Sequence, residues 1–339
     1  MSTILTAEQS HDQQQRFAGS LAARGIVAGD RVVLSLAGST QYVSAVLGAT
    51  RSGVVPVPLD PRLTPHERDA IIGDVSPALV IDDDTQLSAL LAGPEHALAP
   101  FPRCRPMHFT SGTTGRPKGV WSGLLDESDA QSLALEERRL WSFAPTDLNL
   151  IVSPIYHSAP LRFAMGTLLA GGSVTALPSF DPAALAAAID SLRPTTMFCV
   201  PVHLQRLFAW LDETGTQLDS SSLRLLAHAG AACPEPVRRR THDTFGIETV
   251  WSSTDLQKAS SRPVRLPSGS SVPGRSAGAR DGRVMTADDD GQLWCAVPPW
   301  ARFTYWNAPE KTTAAWKRPP TAQPSPSGTS VISRTDTST

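Results

Sequence analysis

No stretch of the 339-residue chain approaches the about 20 consecutive apolar residues that a membrane-spanning helix requires. Residues 1–20 carry Gln9, His11, Asp12, Gln13, Gln14 and Gln15, so a secretory leader is not expected either. Cysteine is sparse. Cys104, Cys199, Cys233 and Cys295 stand far apart, without the close spacing of a metal site or redox motif, and are expected to be unrelated reduced thiols. The formal net charge is only −2, which gives no general attraction to nucleic acid or to an anionic membrane surface. Two phosphate-binding signatures are also missing. Pro117 before Lys118 and Gly119 after it break the Walker pattern, and no Gly-x-Gly-x-x-Gly occurs. What is present is a chain that is 41% hydrophobic, ample for a large core. The expectation is a cytoplasmic protein with no transmembrane segment and no nucleic-acid partner, whose oligomeric state the sequence leaves open.

The most informative stretch is residues 109–120, Phe-Thr-Ser-Gly-Thr-Thr-Gly-Arg-Pro-Lys-Gly-Val. Thr110, Ser111, Thr113 and Thr114 supply hydroxyls. Gly112, Gly115 and Gly119 permit positive φ and close approach of backbone to a ligand. Successive N–H groups in such a loop form an anion-binding nest. Arg116 and Lys118 add full positive charge. The chemistry this suits is the binding of a polyphosphate.

Around this loop, short apolar strands alternate with helices. Val32, Val33 and Leu34 mark a strand, Val43, Val46 and Leu47 a helix, and residues 54–59 and 78–81 two more strands. Between the last two, Thr64-Pro65-His66-Glu67 reads as a helix start with a capping box. Further on, strands are expected at 148–155, 173–177, 197–200 and 223–227. Helices are expected at 161–170, from Asp181-Pro182, at 204–211 and at 235–245. Continuous apolar strands separated by helices indicate a parallel sheet covered on both faces. Two strand ends carry unusual residues. The strand from Leu148 runs into Pro154-Ile155-Tyr156-His157, and the strand from Leu223 into His228-Ala229-Gly230-Ala231-Ala232. Small residues at the carboxyl end of a parallel strand leave room for a flat ligand.

The loop at 109–120 resembles the phosphate loop of the adenylate-forming superfamily, which comprises acyl-CoA ligases, aryl-CoA ligases and related adenylation domains. Its Thr-Ser-Gly-Thr-Thr-Gly-x-Pro-Lys-Gly matches at every defined position. Further likenesses are Val-Pro-Leu-x-Pro at 57–61, Pro-x-Tyr-His at 154–157, and Tyr-Trp-Asn-x-Pro-Glu-x-Thr at 305–312, so the resemblance covers about residues 17–316. It implies an α/β fold of layered subdomains with largely parallel sheets and a small β-rich subdomain. It also implies ATP-dependent activation of a carboxylic acid, followed by thioester formation with coenzyme A. By the same resemblance, Thr110, Ser111, Gly112, Thr113, Thr114, Gly115 and Lys118 bind the phosphates. His157 approaches the reacting carboxylate, and Gly230, Ala231, Ala232 and Trp251 enclose adenine. Thr254 steadies the α-phosphate. Asp255, with Thr114, serves Mg²⁺. The family's Tyr-Gly-x-Thr-Glu stands here as Trp251-Ser252-Ser253-Thr254-Asp255: Asp255 keeps the charge but is shorter by one methylene than the usual Glu. An apolar lining around Tyr156, Ala229 and residues 197–202 implies a fatty or aryl acid.

Residues 1–318 are expected to be the AMP-binding large domain, with 256–318 its β-rich end. Beyond Trp316 the composition turns to Pro, Ser, Thr and Arg, and residues 319–339 are expected to be a disordered tail. The family continues to a Gly-Asp motif whose Asp binds ribose, then to a small C-terminal domain with a catalytic Lys, neither of which occurs here. Regrouping the codons of residues 325–339 by one base, with TCN serine codons, permits Val-Gly-Asp-Leu-Gly and then Asp-Gly-Tyr-Leu-Tyr. The tail is therefore expected to be an out-of-frame translation. Two readings stay open: a ligase by descent with impaired thioester formation, and a non-catalytic nucleotide-binding remnant.

Overall fold

A computed structural model describes residues 3–110, 117–246, 250–251, 279–280, 283–287, 293–297, 299–316 and 330–333. Its main sheet has six strands in the order Leu5–Thr6, Ser173–Ala176, Leu148–Ile151, Thr196–Cys199, Leu225–His228, Val250–Trp251. All neighbours are parallel except the first pair, in which Leu5 faces Val174. A smaller parallel sheet sets Arg31–Leu34 between Val55–Pro58 and Leu79–Ile81. The α/β class expected from the alternating strands and helices is thus observed.

The side-chain alternation along each strand explains the layering. Val32 and Leu34 of the smaller sheet, and Ile151 and Val174 of the main sheet, share one core. Helices Ala7–Ala22, Thr40–Arg51 and Ser158–Leu169 fill it with Phe17, Leu21, Val43, Val46, Leu47, Leu161 and Leu168. One residue along the strand, Leu150 turns to the opposite face. There it meets Leu185, Ile189, Leu204, Leu207 and Phe245 of the helices Pro182–Leu192, Pro201–Thr214 and Glu235–Phe245. Val33 likewise turns away, toward Val55, Val57, Ile71, Val75 and Met107.

Local signals behave as the sequence suggests. Thr64 accepts from Glu67 N–H while the Glu67 carboxylate reaches back to the Thr64 N–H, closing the capping box of Pro65–Val75. Asp181 accepts from Ala184 N–H at the start of Pro182–Leu192. Gly246 ends Glu235–Phe245 at φ 58°.

Three features were not read from the sequence. The polar residues near the amino terminus form the helix Ala7–Ala22, opened by a capping box between Thr6 and Gln9. Beside Phe17 and Leu21 its buried face carries polar residues: Ser10 Oγ bonds Ser44 Oγ at 2.9 Å, and Gln14 bonds Ser10 and accepts from Arg51. Gly48 lets the next helix close in, since a Cβ there would lie 2.7 Å from the Gln14 carbonyl. Second, a strand lies within residues 319–339. Ser330–Ser333 pairs antiparallel with Leu293–Val297, extending a sheet that also contains Ala279–Arg280 and Arg283–Ala287. Val331 and Ile332 are the β-branched residues that suit such a strand. Third, Thr304–Tyr305 leaves that β-rich region and joins the strands flanking the glycine-rich loop.

Candidate active site

Phe109–Thr110 and Lys118–Trp121 form an antiparallel hairpin, with Phe109 opposite Gly119 and Thr110 opposite Lys118. The hydroxyl- and glycine-rich stretch joins these two strands in sequence, and Lys118 begins the second strand. Ser111, Gly112, Thr113, Thr114 and Gly115 lie outside the described residues. The role expected of Gly119 changes. It lies buried within the strand, where a Cβ would sit 2.8 Å from Met107 Sδ and 3.2 Å from the Phe109 ring. Its missing side chain serves packing, not a left-handed turn.

The hairpin is braced from behind. Thr304–Tyr305 pairs with Trp121 and Val120, and Trp306 N–H donates to the Gly119 carbonyl at 2.8 Å. Trp306 Nε1–H and the Asn307 amide both donate to the Asp74 carbonyl, at 3.0 and 3.1 Å. The Arg31 guanidinium lies 5.3 Å from the Trp306 ring centroid. Thr312 Oγ1 accepts from Tyr305 N–H at 2.8 Å. The Tyr-Trp-Asn-x-Pro-Glu-x-Thr stretch thus acts as a clasp that backs the glycine-rich hairpin.

The segment that follows the main-sheet strand Leu148–Ile151 meets the start of this hairpin, where His108 Nδ1 lies 3.1 Å from the Tyr156 carbonyl. After Leu148–Ile151 the chain turns, His157 N–H donating to the Pro154 carbonyl at 3.2 Å, and the helix Ser158–Leu169 begins. His157 stands at the N-cap position of that helix with its side chain exposed. The Tyr156 and His157 rings lie 4.7 Å apart. Arg62 donates to the Tyr156 hydroxyl at 2.6 Å and pairs with Asp60 at 3.0 Å. Partial burial holds the His157 imidazole below its ordinary pKa; Asp60 pulls it up and Arg62 pushes it down. The ring is accordingly neutral near pH 7. The hydrogen bonds from Arg62 keep the Asp60 carboxyl ionised below the usual range.

On the far side of Thr196–Cys199, the chain leaves Leu225–His228 through Ala229, whose N–H donates to the Cys199 carbonyl at 3.3 Å. Gly230 takes φ 94°, a conformation that favours glycine, and Gly230, Ala231 and Ala232 are all exposed. Trp251 ends the edge strand with its Cα opposite Ala227. Thr254 and Asp255 lie outside the described residues. Of residues 197–202, expected to line the acid, Met197 is fully buried with Leu150, Leu204 and Leu226 under the helices, whereas Val202, in the first turn of Pro201–Thr214, is 50% exposed. Among the described residues no group of His, Cys, Asp and Glu has the make-up of a metal cluster. None of the described helices is long and apolar enough to cross a membrane.

Sequence reasoning passed over Asp60, Arg62 and His108. Asp60 and Arg62 follow directly on the strand Val55–Pro58, and the rule that ligands meet the carboxyl ends of parallel strands was the signal that pointed to them. His108 precedes the hairpin, and its Nδ1 lies 3.1 Å from the Tyr156 carbonyl.

The model of the family described as AMP-binding enzyme matches residues 2–100 and 105–278, and the chain belongs to that family. It is 30% identical over 272 residues to feruloyl-CoA synthase of Amycolatopsis sp, covering 71% of this chain and 52% of that protein. It is 28% identical over 286 residues to 4-chlorobenzoate–CoA ligase of Pseudomonas sp., covering 75% and 53%. The chain spans about half the length of these relatives. Among solved structures, ATP-bound MatB from Rhodopseudomonas palustris superposes with a TM-score of 0.70 at 25% identity, over 91% of this chain and 68% of that one.

Proposed function

We propose that the chain activates a carboxylic acid with ATP. The acid carboxylate attacks the α-phosphorus, pyrophosphate leaves, and an acyl-adenylate forms. In the whole reaction the thiol of coenzyme A then attacks the acyl carbon and AMP leaves. The observation that carries this reading is the junction at the carboxyl edge of the main sheet: the hairpin of the phosphate loop is bonded through His108 to Tyr156, one residue from His157.

In this reading Thr110, Ser111, Thr113, Thr114 and Lys118, with the N–H groups around Gly112 and Gly115, hold the β- and γ-phosphates. Lys118 offsets charge that develops on the leaving pyrophosphate. Thr254 steadies the α-phosphate. His157, neutral and exposed, faces the acid. Gly230, Ala231 and Ala232 leave a flat space for adenine, with Trp251 closing it. The Asp255 carboxylate and Thr114 hydroxyl are hard oxygen donors of the kind Mg²⁺ takes, and the ion would neutralise phosphate charge when bound. Most of the acceleration comes from positioning and from fixed charge. Relatives named for ferulate and 4-chlorobenzoate support an aryl acid.

Acid-dependent exchange of labelled pyrophosphate into ATP, run with aryl and fatty acids, tests the adenylation half-reaction. Exchange that requires one of the acids supports the proposal. A folded chain that binds ATP yet exchanges with no acid is a nucleotide-binding module instead.

A further inference from the structure

His108 sits between the two halves of this site. Its carbonyl accepts from Val120 N–H at 2.9 Å, which fixes it to the second strand of the hairpin. Its ring reaches the other way, to the Tyr156 carbonyl at 3.1 Å. A carbonyl only accepts, so the ring nitrogen facing it carries the proton. Burial pushes the imidazole pKa down to about 4, while the Tyr156 carbonyl pulls it up. The ring is thus neutral, and its Nδ1–H is committed to this bond. Tyr156 is held from its other end by Arg62, at 2.6 Å from its hydroxyl.

We propose that His108 is a positioning residue that sets the spacing between the phosphate-loop hairpin and the turn carrying His157, holding nucleotide and acid in register. The proposal rests on the acid-activation reading. Its physical basis is that in-line attack needs the reacting atoms about 3–3.5 Å apart, and a misplacement of about 1 Å costs about 100-fold in rate. The hairpin is braced by Thr304–Trp306 and the turn by Arg62, so each half is firm by itself. The His108 ring transmits the position of one to the other.

Two variants separate this from simple packing. His108→Leu keeps the volume but removes the donor. His108→Asn returns an N–H near the position of Nδ1. Hydrogen exchange in the free protein reads the link directly. In His108→Leu the amides of residues 156–159 and 161 should exchange about two- to tenfold faster, the range set by one neutral hydrogen bond, and His108→Asn should return them toward the unmodified rate. In the pyrophosphate-exchange assay, His108→Leu should lower kcat about tenfold or more with KM for ATP within about threefold, and His108→Asn should recover most of the loss. Unchanged exchange at these amides, or an unchanged kcat, overturns the proposal, as does a loss that His108→Asn does not repair. If the unmodified chain shows no acid-dependent exchange, the functional reading fails first, and hydrogen exchange in the free protein still decides whether the link exists.

Discussion

At the amino edge of the main sheet, Asp147 is buried and fully partnered. Its carboxylate accepts from Thr195 Oγ1 and from Ala144 N–H, each at 2.8 Å, and from both Nε and Nη2 of Arg224. These residues directly precede Leu148–Ile151, Thr196–Cys199 and Leu225–His228, so one carboxylate pins three strand starts. At the carboxyl edge, His157, Gly230, Ala231 and Ala232 are exposed instead. The difference teaches where the fold secures itself and where it leaves chemistry free. A buried charge is tolerated only when it is paired and hydrogen-bonded, so a network like that of Asp147 fixes geometry. A ligand site requires the opposite, polar groups whose valences are left for the substrate.

The strongest test of this contrast is Lys118→Ala at the open edge. Acid-dependent pyrophosphate exchange should fall by about 100-fold or more, as expected for loss of a charge aimed at the transition state. Unaltered ATP affinity and exchange in the folded variant would falsify the assignment of the loop. At the closed edge, Asp147→Ala should cost about 2–3 kcal/mol in urea unfolding, the low side of a broken buried pair because the Arg224 side chain is 37% exposed. A loss under about 0.5 kcal/mol, the level of an ordinary surface change, would mean that the network pins nothing.

The same carboxylate makes the comparison pH-dependent. Burial alone raises the Asp147 carboxyl; Arg224, Ala144 N–H and Thr195 outweigh it, and the folded pKa lies below its ordinary value. The stability it contributes is therefore complete above the unfolded pKa of about 3.9 and is lost as pH falls through the folded value. Unfolding free energies of the unmodified chain and of Asp147→Ala should converge on acidification; parallel curves would argue against the pairing.

Smaller effects belong to the open edge. His157→Ala should lower exchange about tenfold while changing stability by less than about 0.5 kcal/mol, since its side chain is exposed. Gly230→Ala adds a Cβ 3.4 Å from Val200 Cγ1 at φ 94°. It should cost about 1 kcal/mol, read as a modest fall in both melting temperature and nucleotide affinity. Wild-type affinity in Gly230→Ala would remove the strand-end loop from the nucleotide site.

Much of this was legible in the chain of residues. The Thr64–Glu67 capping box, the Asp181 cap, the Gly246 stop and the apolar strands are local, and local backbone chemistry decides them. The strands on either side of the glycine-rich stretch, Phe109–Thr110 and Lys118–Trp121, are equally local, but their bracing by Thr304–Tyr305 is not. The helix Ala7–Ala22 was harder. Its inward face is Ser10, Gln14, Gly19 and Ser20 beside Phe17 and Leu21, so it lacks a clean apolar stripe and only the Thr6–Gln9 cap marked it.

What the sequence by itself determined is the AMP-binding family and the α/β class, because each rests on short segments whose backbone and side-chain chemistry is complete within them. What only the tertiary structure decided is the company His157 keeps. Arg62 and Tyr156 are 94 residues apart in the chain, and His108 and Tyr156 are 48 apart. Their contacts exist because two largely parallel sheets share a layer of helices, which brings the ends of distant strands together. No local pattern encodes that distance; it is set by how the cores pack.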